Sequence, residues 1–260
     1  MTGGGGSVTA VAAAVVRRNM THVLKNPALL GPSLIFPLIF LISFAGGLSS
    51  VGNVPGFDFP SGYTAFQFVF VFLQTAAFGG VFTGFAIARD FESGFARRML
   101  LATPRRGGLI VGYVIAGLLR FLLTGVVVTG AALIGGMQVG GSAVDLGGLL
   151  GLALIVSAAA TLWSAGLAFR FKTLQAGPLM QMPVFLILFL APVYVPLDLL
   201  RGWIDAVASW NPVTAVMEAG RGLISGEPTG TALAFLCAAG LAAVFAVWAT
   251  TGLRRAERGE

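Results

Sequence analysis

The sequence predicts an all-α, polytopic membrane protein with six transmembrane helices, and three observations carry that prediction. Hydrophobic residues fill 57% of the 260 positions and charged ones only 10%, too few to cover the surface of a soluble domain of this length. The mean hydropathy is +0.91. The apolar residues are also gathered into uncharged runs, and a bilayer core of about 30 Å takes roughly 20 residues of helix to cross. Such runs lie near residues 28–49, 63–88, 107–139, 146–169, 173–197 and 231–253, within one transmembrane domain covering 1–260.

Residues 1–7, opening "MTGGGG", read as a flexible leader. The Ala/Val stretch after it runs into Arg17 and Arg18, the reverse of the basic-then-apolar order of a secretory signal, so no cleavage is expected. Residues 8–26 combine an apolar face with Arg17, Arg18, His22 and Lys25 and stop before Pro27, which predicts an amphipathic helix lying in the membrane interface. A plain extension of the first span is the alternative. The third run, 107–139, is long for one upright helix, and Arg120 interrupts it. An arginine at mid-bilayer costs about 2.5–3.5 kcal/mol on insertion scales. Taking Phe121–Gly140 as the embedded part puts Arg120 at the inner boundary, as an anchor, with 107–119 near the cytoplasmic surface.

Between the fifth and sixth runs, 198–230 carries charges too closely spaced for another span. Leu200, Trp203, Ile204 and Val207 recur at helical spacing opposite Arg201 and Asp205; Asn211 and Pro212 end that helix and start a second. In the second, Val213, Val216, Met217 and Leu223 share a side, and Glu218 and Arg221 are three apart, close enough to pair. Two short re-entrant helices in the outer leaflet are expected, an ordinary surface loop being the alternative.

Charge sets the orientation. With both termini inside, thirteen of the sixteen Lys and Arg residues fall in cytoplasmic segments, while the outer loops keep Arg201 and Arg221 beside six acids. The chemistry of several other classes is missing. There is no GxxxxGK[ST] nucleotide loop, no HExxH, and one His (His22) and one Cys (Cys237) far apart, too few for an ordinary metal site. All ten acids fall in loops, re-entrant pieces or tails, which argues against an embedded enzyme or an ion-coupled carrier. A basic balance in a membrane chain also needs no nucleic acid to explain it.

The stretch "RDFESGFARRMLLATPRR", Arg89 to Arg106, holds seven charges in eighteen residues. If the second span's helix continues through it, Phe91, Phe95, Met99 and Leu100 or Leu101 form an apolar ridge inside a charged rim. That is a handle for a soluble partner, against the plainer reading of a positive-inside anchor. Span two also carries Phe66, Phe70, Gln74, Phe78 and Phe82 at steps of four, and span five carries Phe185 and Phe189. These aromatics fit a hydrophobic substrate pathway or ordinary helix packing. Pro178, Pro183 and Pro192 predict a kinked fifth helix.

"DFESGF", "RRMLLATPRR" and the following Gly112 resemble the loop after the second span in permease subunits of ABC-2 type exporters, in the drug-resistance and nodulation-factor branch. "APVYVPLDLLRGWIDAVASWNPVTAVMEAGRGLISG" resembles the segment between spans five and six of the same family, with Pro196, Trp203, Asn211, Pro212, Arg221 and Gly226 in order and Glu218 inside it. The resemblance implies a permease without nucleotide of its own, paired with a second copy or a related permease in a bacterial cell membrane. Two copies of a separate ABC ATPase would carry the ATP and Mg. It further implies that 89–106 is a coupling helix, with Asp90, Glu92, Gly94, Arg97, Arg98 and Pro104 at the ATPase interface. The spacing from Gly94 to Pro104 is one residue longer than the family pattern. The expected cargo is a hydrophobic compound such as an antibiotic or an envelope lipid; export of a lipid-linked glycan, or an uncoupled channel or membrane scaffold, are the rivals.

Overall fold

The computed structural model describes residues 7–26, 30–47, 50, 57–102 and 107–258, and every regular element among them is helical. In chain order these are α1 (Val8–Lys25), α2 (Gly31–Ile42, running into a π-turn Ser43–Gly47), α3 (Gly62–Glu92), α4 (Phe95–Ala102), α5 (Gly107–Ile134), α6 (Ala143–Phe171), α7 (Gly177–Phe189), α8 (Trp203–Trp210), α9 (Pro212–Ser225) and α10 (Thr231–Arg258). Four of them, α3, α5, α6 and α10, are long and apolar enough to cross a membrane. The first and fifth apolar runs form shorter helices. α2 contains Pro37 and loosens into the π-turn; α7 takes Pro178 in its first turn and Pro183 in its interior, and ends before Pro192.

α3 is the axis of the fold. It is apolar on every side, which is the pattern of a helix enclosed by others, and α2, α5, α6, α7 and α9 surround it. Its 31 residues extend about 46 Å at 1.5 Å per residue, longer than the bilayer core. Against α6 it packs through small residues: Gly80 and Gly84 face Ser157, Thr161 and Ser164, and the Thr161 and Ser164 hydroxyls donate to helix carbonyls. That is how helices approach closely where no hydrophobic force drives them together. α6 and α10 pair by a different device. Gly166 leaves room for the Trp248 indole, which stacks on Trp163 at 5.9 Å, and the Arg170 guanidinium lies 3.4 Å from the Trp248 ring.

Two expectations are corrected. First, α5 is one unbroken helix, so Arg120 does not interrupt it and 107–119 is not a separate piece. No proline interrupts it, and Gly108 and Gly112 in its first turns let α1 lie on it through Val8, Val11 and Val15. Arg120 is therefore in mid-helix and turned into the protein, 7% exposed. Second, the helix of the second span does not continue through the charged stretch. It ends at Glu92; Ser93 and Gly94 turn the chain, Gly94 at φ 72, and α4 starts afresh at Phe95.

The segment after α7 folds as the two short helices α8 and α9. α9 is inserted between α3, α6 and α10 with Val216, Met217 and Leu223 buried, while α8 leaves Trp203 and Trp210 exposed.

Candidate functional site

The charged stretch lies at one end of the bundle, where α1, α3, α4, α5 and the start of α7 meet. Asp90, in the last turn of α3, is buried. A buried carboxylate needs a cation and donors, and the chain supplies both from elsewhere. Arg18 of α1 forks onto it, Nη1 to Oδ2 at 2.5 Å and Nη2 to Oδ1 at 2.7 Å, and the Tyr113 hydroxyl of α5 donates to Oδ2 at 3.3 Å. The Asp90 hydrogen bond raises the Arg18 guanidinium above its ordinary pKa. The same guanidinium lies 3.8 Å from the Phe95 ring of α4. One side chain of α1 thus holds the end of α3 and the start of α4 together.

Glu92 is exposed but engaged. Its Oε1 accepts from the Thr173 hydroxyl and the Leu174 N–H, both at 2.8 Å, which fastens the α3 end to the turn leading into α7. Gly94 supplies the left-handed turn. Arg97 and Arg98 are exposed on α4, while Ala96 and Leu100 are buried beneath. Of the six residues expected to face a partner, Arg97 and Arg98 are exposed side chains on the outer side of α4. Asp90 faces inward, Glu92 and Gly94 shape the turn, and Pro104 lies outside the described residues. The expected apolar ridge is largely spent inside, since Phe91 and Leu100 are buried and Phe95 sits under Arg18. The sequence placed Arg18 only on the basic face of an interfacial helix, without its pairing to Asp90, and did not single out Tyr113 or Thr173. The signal that could have found the first two is Asp90 itself, a carboxylate in the last turn of a helix otherwise apolar on all sides.

The aromatics form a column along one side of α3. Phe70 meets Phe189 edge-on at 5.2 Å, Phe189 stacks on Phe185 at 4.3 Å, Phe185 faces Phe78 at 6.3 Å, and Phe78 leads to Phe82 at 6.3 Å. Phe36 and Phe40 of α2 join it against Phe78 and Phe70. Gln74, one turn from both Phe70 and Phe78, is fully buried, and neither polar atom of its amide has a hydrogen-bond partner among the described residues. Five of the six expected pathway phenylalanines are thus brought together.

Phe66 is not among them. It lies at the opposite end of α3 from Asp90, with its ring 3.5 Å from the Arg221 guanidinium. Arg221 is 2% exposed and donates to Glu218 Oε1 at 2.6 Å and to the Val193 carbonyl at 3.3 Å. Asn211 caps α9 through Val213 N–H and donates to the Ile187 carbonyl at 2.6 Å, with Pro212 in the first turn. These contacts bind α9 to the end of α3, to α7 and to the segment following it; Trp203 is exposed.

The family model described as "ABC-2 type transporter" matches residues 11–224. A protein of Pyropia yezoensis described as "Putative transport permease ycf38" is 25% identical over 218 residues, which is 82% of this chain and 73% of the relative. The family match runs from the helix that carries Arg18 through the α3–α4 turn and the aromatic column to the last turn of α9, and on that extent the chain belongs to the ABC-2 type transporter family.

Proposed function

We propose that this permease is the membrane half of an exporter that moves hydrophobic compounds, such as antibiotics or envelope lipids, out of a bacterial cell. Two ABC ATPase subunits bind ATP and Mg and dock at the α4 end, and two permease copies, identical or related, face each other across the substrate path. The observation that carries the reading is α4 itself: a short helix set off by the Gly94 turn, braced from within by Arg18 and Asp90, with Arg97 and Arg98 presented outward. A braced knob transmits displacement to the helices behind it. Here those are α3, which carries the aromatic column, and α1, which lies along α5.

The column supports a hydrophobic cargo. Aromatic faces offer apolar area, and the Gln74 amide offers a donor and an acceptor at its centre. Phe70, Phe78, Phe82, Phe185 and Phe189 line that path in the proposal, and Phe66 belongs to the packing around Arg221.

Co-purification in lipid nanodiscs with the cognate ATPase tests the whole. A complex of two permeases and two ATPases, hydrolysing ATP and moving a hydrophobic dye only when both are present, is the expected result. A permease that binds no ATPase returns the question to a channel or scaffold.

The orientation has its own test. In a Cys237→Ala background, the Gln138→Cys variant is expected to react with a membrane-impermeant maleimide added to intact cells, and the Ser93→Cys variant only after lysis. Both positions are exposed at opposite ends of the helices. The reverse pattern would put α4 outside and remove any cytoplasmic ATPase from it.

A further inference from the structure

A cavity of about 160 Å³ lies among α3, α6, α7, α9 and α10. Small residues and a proline leave it open. Ala159 and Ala160 of α6 and Ala238 of α10 bring no bulk to it, and Pro183, inside α7, removes a helix hydrogen bond where that helix borders the gap. Among the described lining residues every side chain is apolar but for the Trp163 indole N–H, and that group is committed to the Met180 carbonyl at 3.1 Å. Water needs two or more polar partners to stay in such a space, and apolar cavities of about 150 Å³ stay dry and accept guests the size of benzene.

The depth of the cavity decides what reaches it. Its walls from α3, α6 and α10 come from near the middle of three helices that are each long and apolar enough to cross a membrane, so it sits at the level of the bilayer centre. Headgroups stand about 15 Å away from that level, half the thickness of the hydrocarbon core. The cavity also has a side entrance. α7 and α10 both pack on α6 but scarcely on each other. The rim residues between them, Pro183, Leu241 and Phe245, are exposed or half-exposed, while Leu73, Leu188, Val216 and Ala238 on the floor are buried.

We propose that this cavity binds the terminal part of a bilayer lipid's acyl chain, which enters sideways between α7 and α10. Hydrophobic transfer does not drive the step, since the acyl chain leaves one apolar medium for another. It binds because an empty cavity forfeits dispersion contacts that about six carbons of hydrocarbon restore. The headgroup stays at the interface, so hydrocarbon alone is recognised. Pro183, Val184, Ile187 and Leu188 face the cavity, and Phe185 and Phe189 stand on the other side of α7, in the aromatic column. The bound acyl chain therefore backs α7 from behind the column. Binding is a property of the permease in its membrane and needs neither cargo nor an ATPase docked to α4.

The test places the full chain in phosphatidylcholine nanodiscs doped with phosphatidylcholine, or with phosphatidylglycerol, that carries a diazirine near the end of one acyl chain. After irradiation, the adducts are mapped by peptide mass spectrometry. They are expected on Leu188, Val216 or Ala238, each 2% exposed or less and out of reach of bulk lipid, and equally from both headgroups. Val244 and Val247, exposed on α10, report the bulk lipid. Ala159→Phe, which fills the cavity, should cut the buried adducts by about tenfold or more and leave the exposed ones unchanged. If that variant does not fold, Leu241→Trp at the half-exposed rim should do the same by closing the entrance. Labelling confined to the exposed residues, buried adducts that survive the filled or closed cavity, or a yield that follows the headgroup overturns the proposal. So does protection of Val244 and Val247 together with the buried residues, which would put a second protein copy over the entrance.

Discussion

Reversing the charge of Arg97 and Arg98 together, to glutamate, is expected to weaken ATPase binding by at least about thirtyfold and to abolish ATP-driven transport, while the permease still inserts and folds. Thirtyfold corresponds to about 2 kcal/mol. Losing two cations at an interface of complementary charge, and placing two anions against the same partner surface, costs that much or more. Folding should be spared because both side chains are exposed, and surface changes of this kind usually stay within about 0.5 kcal/mol. Asp90→Asn is a different experiment. It strips Arg18 of a buried partner and loosens α1 from α3, so its loss of activity would come with a loss of stability. Arg254→Glu with Arg255→Glu changes net charge equally on exposed positions of α10 and serves as the control. Nanodisc binding to immobilised ATPase, read beside thermal unfolding, separates the three. Wild-type affinity in the Arg97/Arg98 variant would move the docking surface off α4.

The parts of this fold legible in sequence are those that composition alone determines. α3, α6 and α10 stand where long uncharged runs stood, and α1, α8 and α9 follow amphipathic spacing. What escaped depends on partners distant in the chain. Asp90 reads as a surface charge because most carboxylates are exposed; Arg18, 72 residues earlier, makes it an interior one. The break at Ser93 and Gly94 was written in the sequence as a glycine between two charged helices. The continued apolar ridge of Phe91, Phe95 and Met99 argued the other way, and packing against α1 and α5 decided it. Steps of four on α3 found Phe70, Phe78 and Phe82, yet the same spacing admitted Phe66, because periodicity fixes a face and not the point along it where a neighbour changes from α7 to α9. Arg120 followed the same logic. Its insertion cost argued for an anchor at a boundary, and the sequence did not show that the side chain is turned into the protein.

Gly80→Leu is expected to cost upwards of about 3 kcal/mol, beyond the usual range for an overpacked core, and to lower the thermal midpoint by roughly 10 °C or prevent recovery of monodisperse protein. A Cβ on Gly80 would stand 2.6 Å from Thr161 N, 2.7 Å from Ser157 O and 2.9 Å from Ala160 C. All three are backbone atoms of α6, so no rotamer change makes room and one helix must move. Moving it breaks the bond from Ser164 Oγ to the Gly80 carbonyl and separates Gly84 from Ser164. The consequence reaches further than one contact, because α6 also carries α10 through Trp163, Gly166 and Arg170. Even Gly80→Ala should be destabilising. Gly147→Leu on the same α6 meets nothing within 4 Å and should be neutral, which makes it the matched control for added apolar bulk. An unchanged midpoint for Gly80→Leu would mean that α3 and α6 do not meet there, and with that contact would go the placement of the aromatic column relative to α6 and α10.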